Sequence, residues 1–150
     1  LTRSGFFGTA SSACGLRPGS GDTIELRVPA EAAQSVAVFE NSGEQSASLY
    51  DESALEEADK YTVFFGGNHP RVVIRSASAS GGKLLYLKDS YANACAPYWT
   101  GSFSEIHLID LRYYKKSIAD YIAENGIDQV LVSYSLANFV SDSNLLFAAR

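Results

Sequence analysis

Methionine is absent from the 150 residues, and cysteine and histidine occur only twice each. Each scarcity excludes something. Cys14 and Cys95 have no second cysteine or histidine at metal-ligand spacing, so no metal site is expected. The pair allows one disulfide at most, and both read as free buried thiols. The two histidines, His69 and His107, bound the choice of any imidazole base. No apolar run approaches the length of a membrane span, and the opening stretch LTRSGFFGTASSACGL has no basic segment followed by an apolar one. Direct membrane insertion by these residues is therefore not expected. No Lys/Arg cluster exceeds Lys115-Lys116 and the formal charge is −5, which argues against nucleic acid and anionic membrane surfaces as partners. The chain opens on Leu1, and with no methionine anywhere it reads as a processed or truncated piece.

What is present suits a globular protein: 46% of the residues are hydrophobic and 19% charged, enough for one domain over 1–150 with a real core. Residues 1–48 read as a strand-rich lead-in. After the turn cluster GLRPGSGD, the run TIELRV alternates Ile24, Leu26 and Val28 with polar neighbours, SVAVFE reads as a second strand, and ENSGEQ as the turn after it. Short antiparallel elements are expected there. Residues 49–150 read as an α/β portion. LYDESALEEADK is expected to start a short helix capped by Asp51, and YTVFF and RVVIR read as strands on either side of Gly66-Gly67-Asn68-His69-Pro70. Beyond them, KLLYLKD, EIHLID and DQVLVSYS read as strands, separated by the helical segments SYANACAPYWTG and KKSIADYIAENG. In the latter, Ile118, Tyr121 and Ile122 form one apolar stripe that Asn125-Gly126 closes. ANFVSDSNLLFAAR reads as a final helix. Strands alternating with helices in this way predict a parallel sheet covered on both faces.

Sites in such sheets lie at the C-terminal ends of the strands. The predicted ends fall near Lys88-Asp89-Ser90, Asp110-Leu111-Arg112 and Ser133-Tyr134-Ser135. Ser90 has two readings: the N-cap of the next helix, or a nucleophile presented at a strand end beside helix-start N–H groups that could face an oxyanion. A nucleophilic serine needs a base. His107 sits early in its strand and reads as a hydrogen-bonded core histidine. His69 reads as a loop-tip residue that reaches Ser90 only if YTVFF runs parallel beside KLLYL. Asn68 suits either a turn position or an oxyanion donor. Asp110 and Arg112 read as a local ion pair or as substrate ligands, and Tyr98, Trp99, Phe103, Tyr113 and Tyr114 as helix–sheet packing or a sugar-stacking platform. No phosphate-cradling glycine loop and no carboxylate cluster is present, so no cofactor is expected.

The blocks DKYTVFFGGNHP, LLYLKDSYANACAPYW, EIHLIDLRYY and VLVSYSLANF, taken in that order, resemble the DHHW protein family, with the resemblance spanning residues 49 to 140 and extending more loosely to SGFFGTASSACG. These are bacterial cell-envelope proteins similar to the alginate O-acetyltransferase branch of the SGNH hydrolases. The resemblance implies a three-layer α/β/α SGNH-like (flavodoxin-like) fold, with Asp89-Ser90 at the nucleophile position. Ser90 then becomes the nucleophile and the Tyr91 backbone N–H an oxyanion donor. Asn138 becomes the counterpart of the SGNH oxyanion asparagine, and Asn68 its rival. Asp89, Tyr91, Arg112 and Trp99 are the residues expected against substrate.

In that branch the His and Asp partners precede the serine, and this sequence has no such tetrad. The chain thus reads as a C-terminal portion, incomplete at its N-terminus and inactive alone. The resemblance implies acyl transfer, as an O-acetyltransferase or esterase, with a polysaccharide or an acyl donor as partner and an extracellular or cell-envelope location. The competing reading is a non-catalytic envelope module that keeps the fold, binds glycan or a protein partner, and uses the Ser90 hydroxyl only to cap its helix.

Overall fold

The computed structural model describes residues 1–17, 19–39, 45–46, 48–77 and 79–149. Its first elements are local. Strand β1 (Thr2–Phe6) pairs antiparallel with β2 (Asp22–Glu25), and helix α1 (Thr9–Cys14) lies between them, ending at Gly15 in the left-handed region at φ 73°. After the short helix α2 (Ala30–Ala33), β3 (Val36–Phe39) pairs antiparallel with β4 (Gln45–Ser46). The antiparallel lead-in is as expected. The turn predicted between these strands falls on 40–44, outside the described residues.

The remaining strands are β5 (Arg71–Arg75), β6 (Lys83–Lys88), β7 (Glu105–Ile109) and β8 (Gln129–Ser133), and the sheet order is β4-β3-β5-β7-β6-β8. β6 is parallel to both β7 and β8, as the alternation of strands and helices predicts. β5, however, runs antiparallel to both β7 and β3, so the parallel part of the C-terminal half extends into a six-stranded mixed sheet. A parallel pair needs a long crossover. Residues 89–104 and helix α3 (Ile118–Asn125) supply those on either side of β7, whereas only residues 76–82 link β5 to β6.

Alternate residues of β6 enter two apolar clusters. Leu84 and Tyr86 pack with Val72, Ile74, Ile106 and Leu108 and with residues of the lead-in, while Leu85 and Leu87 pack with Ile109, Leu111, Tyr114, Ile118 and Tyr121. Both faces of β6 are thus covered, which is why its sequence is continuously apolar. α3 forms as expected: Ser117 accepts the Asp120 N–H, Ile118 and Tyr121 are buried, and Gly126 closes it at φ 62°.

Three expectations fail on local chemistry. YTVFF is no strand: Asp59 accepts the Tyr61 N–H and starts a 3₁₀ turn over Lys60–Val63, leaving one bridge between Tyr50 and Phe64. The chain then reverses through positive φ at Phe65, Gly66 and Gly67. SYANACAPYWTG forms two 3₁₀ turns, Ser90–Ala94 and Ala96–Gly101. The final helix is split. Helix α4 (Leu136–Ser141) stops at Asp142, whose Oδ1 accepts from Asn144 N at 2.9 Å and Asn144 Nδ2 at 2.6 Å, and a 3₁₀ segment Ser143–Ala149 follows. No helix among the described residues is long and apolar enough to cross a membrane.

Candidate functional site

Strand β6 ends on Lys88, Asp89 follows it, both are buried, and Ser90 opens the 3₁₀ turn beyond. The cap of that turn is Asp89, not Ser90: Asp89 Oδ1 accepts the Tyr91 N–H at 3.0 Å. Its other oxygen accepts Ser135 N at 2.8 Å and Asn138 Nδ2 at 2.8 Å, tying β6 to the start of α4. Burial alone would raise the carboxyl's pKa, but these N–H donors outweigh it and hold it below the ordinary value. With the capping work taken by its neighbour, Ser90 stands half-buried at the first position of the turn, with no side-chain hydrogen bond found among the described residues.

Tyr61 fixes the backbone around it. Its hydroxyl donates to Ser90 O at 3.0 Å and Tyr91 O at 2.8 Å and accepts from Ala94 N at 3.4 Å. Burial pushes its pKa up to about 12, so it stays a neutral donor. Ser90, Tyr91, Tyr61, Asp59, Asn68 and Asn93 line a cavity of about 630 Å³ together with Phe6, Phe7, Ala10 and Ala13. Within it, Asn93 Nδ2 donates to Asn68 Oδ1 at 3.3 Å, which leaves the Asn68 N–H₂ as the donating end of that side chain.

The remaining predicted residues are placed elsewhere. Asn138 and the Tyr91 backbone N–H are engaged by Asp89, and neither the Asn138 side chain nor Asp89 itself lines the cavity. Arg112 grips Asp110 through two hydrogen bonds of 2.9 and 2.6 Å, the local ion pair of the simpler reading. Asp110 also lies 3.8 Å from Lys88 Nζ. Trp99 is partly exposed and stacks edge-on against Phe103, away from the cavity lining. His107 is a core histidine: its Nδ1 lies 2.6 Å from the Tyr121 hydroxyl and its Nε2 3.1 Å from Glu105, and burial pushes its pKa down. His69 Nε2 lies 2.8 Å from Phe65 O and its ring packs on Phe39, and the parallel strand that would have carried it to Ser90 does not exist. Both cysteines are free but exposed, not buried.

Tyr61 and Asn93 were not singled out from the sequence. Tyr61 meets Ser90 across 29 residues of chain, a contact with no local sequence signal.

This constellation places the chain among solved structures. The chain is similar to a DHHW family protein. That protein, from Eubacterium siraeum, matches over 100% of this chain and 52% of its own, with a TM-score of 0.79 and 26% identity. Bacillus cereus PatB1 carrying a sulfonyl adduct matches 86% of this chain and 45% of its own (TM-score 0.70, 28% identity). A second PatB1 structure matches 82% and 43% (TM-score 0.67, 28% identity). The chain therefore spans about half the length of the structures it matches. No family model matches the sequence, and neither does any curated protein.

Proposed function

We propose that Ser90 is the nucleophile of an SGNH-like acyl-transfer protein with a three-layer α/β/α core, acting in the cell envelope on polysaccharide. The observation that supports this most is the division of labour at the turn: Asp89 caps it, and Ser90, free of that work, lines a cavity together with Asn68. In the proposed reaction Ser90 Oγ attacks the carbonyl carbon of an ester and its proton passes to a base. The Asn68 N–H₂ holds the tetrahedral oxyanion. The bond to the leaving alcohol then breaks as the alcohol takes up the proton, and a sugar hydroxyl (transferase) or water (esterase) releases the acyl group from Ser90.

Neither described histidine is bonded to Ser90. The base is assigned to polypeptide outside residues 1–150, consistent with solved neighbours about twice as long. Sulfonyl electrophiles modify activated serines, and a sulfonyl adduct on PatB1 fits this chemistry. The alternative of a binding module requires the Ser90 hydroxyl to cap its helix, a role Asp89 occupies here.

Sulfonyl fluoride labelling of the intact gene product, mapped by mass spectrometry, tests the reading. Labelling is expected on Ser90 and is expected to vanish in Ser90→Ala. Labelling that is absent, or that survives this substitution, overturns it. For residues 1–150 alone the rate should fall by about a hundredfold or more, the contribution of a positioned base.

A further inference from the structure

The cavity beside Ser90 has a mixed lining. Ser90, Asn68 and Asn93 bring polar groups to it, and the segment from Phe6 to Ala13 brings an apolar wall of Phe6, Phe7, Ala10 and Ala13. That wall is held by the backbone. β1 pairs with β2, Gly8 takes φ 81° ahead of α1, and Arg3 is bonded to Glu56 at 2.7 Å. Asn93 is 2% exposed, and its Oδ1 has no hydrogen-bond partner among the described residues. That oxygen is sealed from the cavity, so ligand contacts fall on Ser90 and Asn68.

At about 630 Å³ the space is of the size that encloses a whole small molecule. An acetyl group at Ser90 would leave most of the apolar wall against water, which opposes the hydrophobic effect. We infer that the cavity is an acyl-chain site for groups of roughly four to eight carbons. The ester carbonyl lies at Ser90 and Asn68, and the alkyl chain runs along Phe6, Phe7, Ala10 and Ala13. This deepens the acyl-transfer reading and rests on it for the orientation of the chain, but not for its binding.

The test uses unreactive primary amides from acetamide to octanamide, titrated into the ¹⁵N-labelled chain and followed by NMR at the Asn68 and Ser90 amides. Affinity is expected to rise by up to about fourfold for each added methylene until the wall is covered. Ala13 is exposed, so Ala13→Phe is expected to fold, as circular dichroism would show, and to shorten the longest chain accepted. A series without chain-length dependence, binding unmoved by Ala13→Phe, or methyl glucoside binding where hexanamide does not, overturns the inference. Because the amides do not react, the two readings fail separately. Chain-length preference without Ser90 labelling removes the proposed reaction alone, and labelling with a flat amide series removes the acyl-chain site alone.

Discussion

Three side chains decide what Ser90 can do. Asp89 uses both carboxylate oxygens on the frame and so leaves the serine hydroxyl uncommitted. Tyr61 divides one proton between two carbonyls and thereby sets the tilt of the turn. Tyr61→Phe removes that clamp at a stability cost of only about 1 kcal/mol. It should slow Ser90 labelling roughly tenfold while leaving the amide chain-length series intact. A purely structural role would instead move unfolding and amide binding together, with labelling unaffected once folding is allowed for. Lys88 lies beneath the site, 2% exposed, between Asp110 and Arg112. Burial first, then the nearby guanidinium, push its pKa down to about 8 from an ordinary 10.5, against the pull of Asp110. Between those values the unfolded chain holds the extra proton, so the Lys88 contribution to stability should rise as pH climbs from about 8, by on the order of 2 kcal/mol at about pH 9.5, above which tyrosines such as Tyr61, whose raised pKa acts in the opposite sense, begin to offset it. The cost of the buried charge is fully present below pH 8. In Lys88→Met, where Asp110 keeps Arg112, that rise should disappear from chemical-denaturation midpoints measured across the window. A rise that persists in the variant would assign it to another group.

The elements that hold the site depend on close backbone approaches as much as on side chains. Gly81 and Gly82 lead into β6, and a Cβ on Gly81 would run into the Ser102 carbonyl, while one on Gly82 would meet the Asp128 side chain, which can shift only by giving up its bond from Lys83 N. Ser104 N bonds to the carbonyls of both glycines, so the backbones cannot simply part. Gly81→Ala should cost about 3 kcal/mol and Gly82→Ala distinctly less, a contrast readable in thermal unfolding. Equal losses would mean that the 102–104 backbone yields. Much of this layer was legible in the sequence. β6, β7, β8 and α3 follow from unbroken apolar runs, a 3.6-residue stripe and a glycine stop, signals that burial on a two-faced sheet enforces. YTVFF misled because aromatic and β-branched residues also serve a buried 3₁₀ turn, and what distinguishes the two is local, the Asp59 bond to Tyr61 N and the positive φ of Phe65. Ser90 could be located but not assigned from sequence, because Asp89 and Ser90 are both good caps and only the observed bond shows which one caps the turn.

For the molecule as a whole, the two ends of the sheet are treated differently. At one end β3 and β4 carry the sheet into the lead-in, whereas at the other β8 has β6 as its neighbour and forms the outer strand. A parallel edge is normally covered, yet Val130 and Val132 are 49% and 51% exposed, and Leu136, Phe139 and Val140 of α4, which follows β8 in the chain, are 79%, 55% and 74% exposed. Exposed apolar side chains on an open edge drive association. Residues 1–150 in isolation should therefore self-associate at micromolar to millimolar concentration, with weight-average mass rising with concentration in sedimentation velocity. The double variant Val130→Lys with Val132→Lys should stay monomeric and keep its unfolding midpoint, since both side chains are largely in solvent. Its added lysines reduce the net charge from −5 and so weaken long-range repulsion between copies. Loss of association in the variant would assign the contact to this edge, where the lysines both remove apolar surface and set like charges against each other. Monomeric behaviour of the unaltered chain across the whole concentration range would show that this edge does not drive assembly.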